Sequence, residues 1–457
     1  MSRIIDCHVH HLDDTDVAWA RELGYDKVCL IDHRVEVLEE ALRKHPDFVI
    51  AVGYLPFQDR IEVVLDAIER YREIGCLALK ACGASARYDD ERHYPAYAKA
   101  EEYDMPVLFH TGWLDLRIAT RTFPLPERSL ADWYHPITLD RITLDFPRLN
   151  LVAFHMGGAW LPHAALLMQQ YPNIYADSCL GATRRDARFF WGQIGGDATG
   201  LQVLAKMVYG TDGMASRDAT EGRIASFQDF LNTLKVPAAV RDRILYRNAL
   251  HIFGLDEELK KGVRVGRIDV ARMSLDQAAA GEGPGGAAHI ADFLDHSPER
   301  FGEPTHFKTN CWIGWDDHAL HLLFYCEDKS ADALVVSREG PIRNLWQDDS
   351  VEVFVSPGAD EDYFHVVVNA AGRASVQKGR GETVAYPHAV ESRITKAGWA
   401  VKLSVPFSLL GAEPARGATW GMQLCRNKQT HPKETITWTE VATTFHDPSN
   451  FGRLVFD

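Results

Sequence analysis

The first 211 residues contain eight short stretches rich in apolar and β-branched residues, separated by longer segments of helical periodicity. The stretches are Ile4 to Val9, Lys27 to Ile31, Phe48 to Tyr54, Cys76 to Ala81, Pro106 to His110, Asn150 to His155, Asn173 to Asp177 and Met207 to Thr211. This alternation is typical of βα units around a parallel sheet. Eight such units in about 255 residues predict a (β/α)8 TIM barrel, an α/β fold.

The second half of the chain has a different pattern. Helical periodicity ends near Leu255, and a segment rich in Gly and Ala spans residues 278–286. We therefore predict a barrel over residues 1–256, a flexible linker over 257–288 and a second domain over 289–457. Short alternating runs in that domain, from Cys311 to Trp315 through to Arg453 to Phe456, predict an all-β sandwich.

Composition limits the class of protein. A chain of 457 residues with 46% hydrophobic and 25% charged residues is long enough for several folded domains. Its net charge of -15 argues against nucleic acid and anionic membrane surfaces as partners. The N-terminal residues show no apolar signal segment, so we expect a cytoplasmic protein. The eight cysteines are scattered without a CxxC pair and are predicted to be buried thiols.

Two histidines, His8 and His10, lie two positions apart on the first predicted strand. Because side chains alternate between the faces of a strand, both point the same way, here into the barrel near its carboxyl-terminal mouth. Two imidazoles in this arrangement can share one cation. A chain with 20 histidines also contains such pairs by chance, so the pair alone does not establish a metal site.

Three more residues of types that bind metals lie at the ends of other predicted strands. His110 ends the fifth strand, His155 the sixth and Asp212 the eighth. The carboxyl ends of barrel strands meet at one mouth, so these residues should converge with the two histidines. Together they predict a site for a divalent cation such as zinc, or alternatively manganese, with one position open for water.

These residues lie in motifs that resemble the amidohydrolase superfamily, specifically its amidohydrolase 2 branch. The motifs are Asp6-Cys7-His8-Val9-His10, Gly75 to Lys80, Pro106 to Gly112, His155 to Trp160, Tyr171 to Asp177 and Tyr209-Gly210-Thr211-Asp212. The resemblance covers about residues 1–256. It implies that the metal ligands are His8, His10, His110 and Asp212. It also implies that His155 is the acid/base that orients a metal-activated water.

Other residues near the predicted mouth have more than one candidate role. Lys80 ends the fourth predicted strand, where other branches of the superfamily carry a carboxylated lysine that bridges two metals. Lys80 is therefore a candidate for a second metal or, as we favour, for an ion pair with substrate or an acidic partner. The long connection from Gly112 to Arg148 is predicted to form a lid or substrate wall. By position alone, His33, Arg34 and Trp113 are substrate-wall candidates.

Residues from about 289 to 457 resemble a family 9 carbohydrate-binding module. The matching stretches are Trp315 to Asp317, Leu320 to Leu322, Leu345 to Phe354 and Phe445 to Gly452. Such modules hold a sugar between two tryptophan faces, which implies walls at Trp346 and Phe445. Phe445 and His365 replace the Trp and Arg of the family, so glycan recognition and a structural role, as a barrel cover or a dimer interface, stay open. We expect Trp312, Trp399, Trp420 and Trp438 to lie in the sandwich core.

The residues and the resemblance together predict a metal-dependent hydrolase that opens a lactone or cleaves an ester or amide in a small polar substrate, a class that includes sugar-derived compounds. The alternative in the same site is a non-oxidative decarboxylase or hydratase of an aromatic-derived acid. That reaction needs arginines to hold a carboxylate, and Arg34, Arg117 and Arg121 are candidates. A third reading is a glycan-binding protein with an inactive barrel. A homo-oligomer is compatible with all three.

Overall fold

The structure is a computed structural model that describes residues 3–112, 130–179, 187–213, 216–297, 300–337, 341–358, 363–441 and 444–457. The chain divides into two compact units, Met1–Glu258 and Leu259–Asp457. No helix in the described part of the chain is both long and apolar enough to span a bilayer.

The first unit is the predicted TIM barrel. Within the described residues, eight parallel strands follow one another around the sheet in chain order. They are β1 (Ile4–Val9), β2 (Tyr25–Asp32), β3 (Val49–Leu55), β4 (Ala78–Ala81), β5 (Val107–His110), β6 (Leu151–Phe154), β7 (Ile174–Asp177) and β8 (Met207–Val208). The backbone N–H of Cys7 donates to the carbonyl of Tyr209 at 2.9 Å, which brings the end of the sheet back to its first strand.

The helices of this unit surround the sheet. They are Asp14–Glu22, Val35–Lys44, Ile61–Glu73, Tyr94–Glu102, Thr138–Asp145, Leu161–Gln170, Ala187–Gln193, Asp197–Leu204, Arg217–Thr233, Ala238–Asp242 and Asn248–Ile252. Ile61–Glu73 shows why they form where the periodicity predicts. Its buried residues Val64, Ile68 and Tyr71 recur at helical spacing and form one apolar face. Gly75, with φ +91°, follows its end.

A β-bulge in β1 decides which side chains enter the barrel. Asp6 pairs with Val28 and Val9 with Leu30, so β1 advances by three residues over a distance in which β2 advances by two. Below the bulge, Ile5 and Cys7 pack in the barrel interior. The extra residue reverses the alternation, so His8 and His10 also face inward above it.

The ends of two strands differ from the prediction. Pairing in β8 stops at Val208, so Asp212 lies four residues beyond the strand in a turn with φ +58°. His155 follows β6 as the first residue of a short 3-10 segment, with φ +63°. At the end of β8 the N–H of Tyr209 donates outside the ladder, to the carbonyl of Ile244, and at the end of β6 the N–H of His155 donates to Asp177 Oδ1 at 2.6 Å. Asp212 and His155 still lie at the carboxyl end of the barrel.

The second unit consists mainly of antiparallel strands in two sheets. One sheet contains, in spatial order, Ala288–Ile290, Thr309–Trp315, Ala319–Glu327, Gly398–Pro406 and Val390–Thr395. The other contains Leu294–Asp295, Glu434–Thr437, Thr419–Lys428, Ser350–Ser356, Phe364–Asn369, Ala374–Lys378 and Val384–Ala385. Gly452–Phe456 also pairs with Thr419–Lys428, and Gly262–Val265 pairs with Gly452–Phe456. Short helices span Leu275–Ala279 and Phe407–Leu410. Trp399, Trp420 and Trp438 lie in the core between the sheets, as predicted.

The predicted linker over 257–288 is largely folded. Gly262–Val265 forms a strand parallel to Gly452–Phe456. Further along, Met273 and Ala278 pack in one buried cluster with Trp312. A Cβ on Gly283 would lie 2.0 Å from the indole of Trp312, so the absence of a side chain there permits close packing. Apolar burial against Trp312 explains why the Gly-rich segment is ordered despite its composition.

Candidate metal centre at the carboxyl end of the barrel

Three ligand-type atoms converge at the mouth of the barrel. Asp212 Oδ1 lies 3.2 Å from His8 Nε2 and 3.4 Å from His10 Nε2. Two ligands at the usual zinc distances, on neighbouring corners of a tetrahedron, are separated by roughly 3.3 Å. The spacing of these side chains therefore fits one shared divalent cation.

The hydrogen bonds of His8 establish which of its atoms faces that position. Its Nδ1 lies 2.8 Å from Asp177 Oδ2, and the side chain is 1% exposed. Burial holds the pKa of His8 well below its usual value, so the ring is neutral. An ionised carboxylate only accepts, so Nδ1 carries the proton and Nε2 presents a lone pair.

The charge state of Asp212 bears on its contact with His8. Burial alone would raise the pKa of Asp212, but the hydrogen bond to His10 and nearby cationic groups lower it below its usual value overall. The carboxylate of Asp212 is thus ionised where its Oδ1 lies 3.2 Å from His8 Nε2. An anionic oxygen this close to imidazole nitrogen is a donor set that suits a divalent cation.

His155 and His110 border the same space. The ring centroids of His110 and His155 are 4.6 Å apart, and those of His8 and His155 are 5.1 Å apart. His155 Nδ1 donates to the backbone carbonyl of Cys179 at 3.1 Å, which leaves Nε2 free to accept or pass a proton. The structure thus brings together all five residues predicted for the site, with His110 placed by its contact with His155.

Backbone conformation and hydrogen bonds hold His155 and Asp212 in place. His155 and Asp212 both have positive φ, an unfavourable conformation for residues with a Cβ. Arg223 Nη1 donates to the carbonyl of Thr211 at 3.1 Å and also to that of Gly213, so it fixes the backbone on both sides of Asp212. The N–H of Gly213 donates in turn to the carbonyl of His8 at 3.0 Å.

Asp6 joins β1 to the segment after β8. Its Oδ1 accepts from the backbone N–H of His8 at 3.0 Å and of Thr211 at 3.1 Å, and its Oδ2 accepts from Thr211 Oγ1 at 2.7 Å. Burial raises the pKa of Asp6 to about 7. Asp6 thus couples the positions of His8 and Asp212, although it faces neither directly.

Lys80 lies in the barrel interior on β4. It is 1% exposed, and its Nζ lies 3.7 Å from the centroid of the Phe154 ring. Nζ has no hydrogen-bond acceptor among the described residues. Burial lowers the pKa of Lys80 to about 8, against the opposing effect of nearby acidic groups that include Asp177.

The aromatic residues predicted for the second unit have different surroundings. Trp346 is 49% exposed. Phe445 packs beside a cluster that includes Phe354 and Tyr363. His365 is buried, stacks on Phe354 with ring centroids 4.0 Å apart, and has Nε2 2.5 Å from Glu352 Oε2. Of the two predicted walls, Trp346 is thus the exposed one, whereas the other is partly covered by its neighbours.

The amidohydrolase family model matches residues 5–255, more than half of the chain. The protein belongs to the amidohydrolase family. Residues 296–457 of this amidohydrolase match a second family model, described as a carbohydrate family 9 binding domain-like module. No characterised protein matches the chain in sequence closely enough to count as a relative.

Solved structures resemble parts of this amidohydrolase. A 2,6-dihydroxybenzoate decarboxylase from Rhizobium is 19% identical, with a TM-score of 0.41, and the match covers 56% of this chain and 100% of that one. A dihydroxybenzoic acid decarboxylase from Polaromonas, solved with bound manganese and the inhibitor 2-nitroresorcinol, is 17% identical over 56% of this chain and 98% of that one, with a TM-score of 0.40. A family 9 carbohydrate-binding module from Caldicellulosiruptor kristjanssonii in complex with cellotriose is 18% identical over 43% and 94%, with a TM-score of 0.31.

Sequence reasoning missed three residues around the amidohydrolase site. Asp6 and Asp177 were in the quoted motifs but had no role, and Cys179 was assigned to the buried thiols. The structure places Cys179, which is partly exposed, in one group with His8, His155 and Asp177, whose ligand atoms lie within 4.8 Å of one another. The available signal was position, because Asp177 ends a predicted strand just as His110 does.

The other residues predicted at the mouth of the barrel are not brought into the candidate metal site within the described part of the chain. Arg34 is 54% exposed and forms two hydrogen bonds to Asp32, with Nη2 2.7 Å from Oδ2. His33 is 42% exposed and also lies beside Asp32. Trp113, Arg117 and Arg121 fall outside the described residues.

Proposed function

We propose that the barrel is a metal-dependent hydrolase that cleaves a lactone, ester or amide bond in a small polar substrate. The observation that carries the proposal is the convergence of three ligand atoms, with Asp212 Oδ1 3.2 Å from His8 Nε2 and 3.4 Å from His10 Nε2. A divalent cation held by the predicted ligands would be shared by these atoms. Those ligands are His8, His10, His110 and Asp212.

Imidazole nitrogen and carboxylate oxygen suit a borderline cation, which favours zinc with manganese as the alternative. When bound, the cation supplies Lewis-acid chemistry, polarising a carbonyl oxygen and lowering the pKa of a coordinated water. Asp177 keeps His8 in the tautomer that presents Nε2.

The proton transfers belong to residues of the chain. The carboxylate of Asp212, ionised and facing the mouth, accepts the proton of the attacking water. That proton passes to His155 Nε2, which delivers it to the leaving oxygen or nitrogen while Nδ1 stays bonded to the carbonyl of Cys179, so both side chains return to their starting states.

Metal content tests the proposal directly. Protein purified without chelator is analysed for zinc and manganese, alongside His8→Ala and Asp212→Asn. We expect near-stoichiometric metal in the wild type and a large loss in both variants. His251→Ala is the matched control, because His251 forms a similar 2.8 Å contact with Asp256 outside the ligand set. Wild-type protein that takes up neither ion after reconstitution contradicts the proposal and favours the inactive-barrel reading.

Non-oxidative decarboxylation is the competing reaction in this site. It requires a cationic group beside the departing carboxylate; Arg34 already pairs with Asp32, whereas Lys80 has no acceptor among the described residues. Hydrolysis is our proposal because it needs only the predicted metal ligands and His155. Release of carbon dioxide from an aromatic acid by the metal-loaded protein, lost in His155→Ala, would replace it.

For the second unit we propose saccharide binding. The half-exposed indole of Trp346 supports this, because the C–H face of a sugar stacks on such a ring. A glycan array should give a signal that Trp346→Ala abolishes. Val335→Ala, at a comparably exposed apolar residue of the same unit, should leave it unchanged. A wild-type protein that binds no glycan would favour a structural role.

A further inference from the structure

We propose that Lys80 recognises the substrate through an acidic group, so that the barrel acts on small carboxylates. This inference rests on the proposed function, because it places a substrate at the same mouth. It starts from the surroundings of the ammonium group. Lys80 is 1% exposed, faces the barrel interior on β4, and has no hydrogen-bond acceptor for Nζ among the described residues.

Other buried lysines of this chain have their hydrogen bonds satisfied. Lys206 Nζ donates to the carbonyl of Met168 at 3.0 Å and also to that of Tyr171. Lys428 Nζ donates to both oxygens of Thr430, at 2.8 Å and 2.7 Å, and to the carbonyl of Pro432 at 2.9 Å. Lys80 contacts the face of Phe154 instead. The difference marks Lys80 as a group whose acceptor comes from outside the chain.

The acidic residues nearest to Lys80 are engaged elsewhere. Asp177 accepts from His8 Nδ1 and from the backbone N–H of His155, at 2.8 Å and 2.6 Å. Asp212 faces His8 and His10. These carboxylates stabilise the ammonium through space, but the three N–H groups of Nζ still have no acceptor. An unsatisfied buried charge costs stability, and the contact with the Phe154 ring offsets the missing hydrogen bonds only in part.

The chemistry that completes this environment is a monoanionic acceptor. A carboxylate matches one ammonium in charge and accepts charge-assisted hydrogen bonds from it. It would also screen the ammonium from a cation held by the neighbouring histidines and Asp212. A substrate with a carboxylate beside its scissile bond can contact Lys80 and the predicted cation position at the same time.

The test compares carboxylates with their uncharged amides. Acetate, benzoate and succinate, and the corresponding amides, are titrated calorimetrically into wild type, Lys80→Met and Lys206→Met. Each protein is used both metal-free and loaded with manganese. We expect the wild type to prefer a carboxylate over its amide at least about tenfold, and Lys80→Met to lose that preference. Lys206→Met, which removes a buried lysine with satisfied hydrogen bonds, should keep the preference but melt at a lower temperature.

Stability gives a second readout that does not depend on the ligand. Replacing Lys80 by Met removes a desolvated charge without breaking a hydrogen bond, so the variant should melt no lower than wild type. Equal carboxylate binding in Lys80→Met, or no carboxylate binding by the wild type, overturns the inference. A carboxylated Lys80 with two metal ions in each chain overturns it as well. Failure of the proposed function is recognised separately, as absent metal in the wild type.

Discussion

At the scale of single residues, His8 is central to the site because its two ring nitrogens have different partners. Nδ1 bonds to Asp177, and Nε2 faces Asp212. The sequence predicted His8 from its spacing to His10, yet it assigned no role to Asp177. Asp177 is 169 positions away from His8 in the chain, and no local pattern connects the two.

Asp177→Asn tests this orientation. An amide cannot hold the proton of His8 on Nδ1 as firmly, so affinity for zinc or manganese should fall about 10–100-fold while the fold is retained. Metal titration measures the change. Asp256→Asn removes the carboxylate of a similar His–Asp contact, with His251, and should leave affinity as it is. Equal affinities in both variants would show that Asp177 does not orient a ligand.

His446 predicts a pH dependence for the second unit. Burial, and then the charge of nearby His365, lowers the pKa of His446 to about 4. The unfolded chain therefore binds this proton more readily, and stability present above about pH 6.5 is lost as the pH falls towards 4. The loss is at most about 3 kcal/mol.

Urea unfolding at pH 6.5 and at pH 4 measures this loss. In His446→Gln the part of the loss that is due to His446 should disappear. His388→Gln changes an exposed histidine of the same unit and serves as the control. An equal loss in His446→Gln and wild type would show that His446 is not the group responsible.

At the scale of elements, periodicity predicted the barrel well because helices and strands follow local patterns of burial. Ile4–Val9 has the predicted bounds, and the other barrel strands differ by a few residues. Two features escaped this reasoning. The bulge in β1 depends on pairing with β2. The folded segment after Glu258 depends on Trp312, a residue of another strand.

Gly283→Ala tests whether that segment is part of the second unit. A Cβ at Gly283 would lie 2.0 Å from the Trp312 ring, so the substitution should destabilise the unit by about 1–3 kcal/mol. Gly285→Ala is the matched control, since no atom lies within 4 Å of its added Cβ. Urea unfolding followed by tryptophan fluorescence compares them. Matching stabilities for the two variants would support a loose linker instead.

At the scale of the whole molecule, the predicted metal ligands all belong to the first of two units. Binding of a cation should therefore stabilise the barrel by mass action, by about 2.7 kcal/mol at a hundredfold excess over the dissociation constant. Hydrogen exchange with and without manganese measures it. We expect slower exchange in peptides of the barrel strands and little change in residues 259–457. The effect should vanish in His8→Ala, and its persistence there would place the ion elsewhere.

Local spacing and composition were sufficient to predict a barrel followed by a sandwich, and to select His8, His10, His110, His155 and Asp212 as a group. Both depend on periodicity and on the rule that barrel strands end at one mouth. Tertiary structure decided the rest. The direction of His8 follows from the bulge and from Asp177, the conformation of Asp212 from Arg223, and the order of the Gly-rich segment from Trp312. These features arise from contacts between residues far apart in the chain, which a reading of neighbouring positions does not reveal.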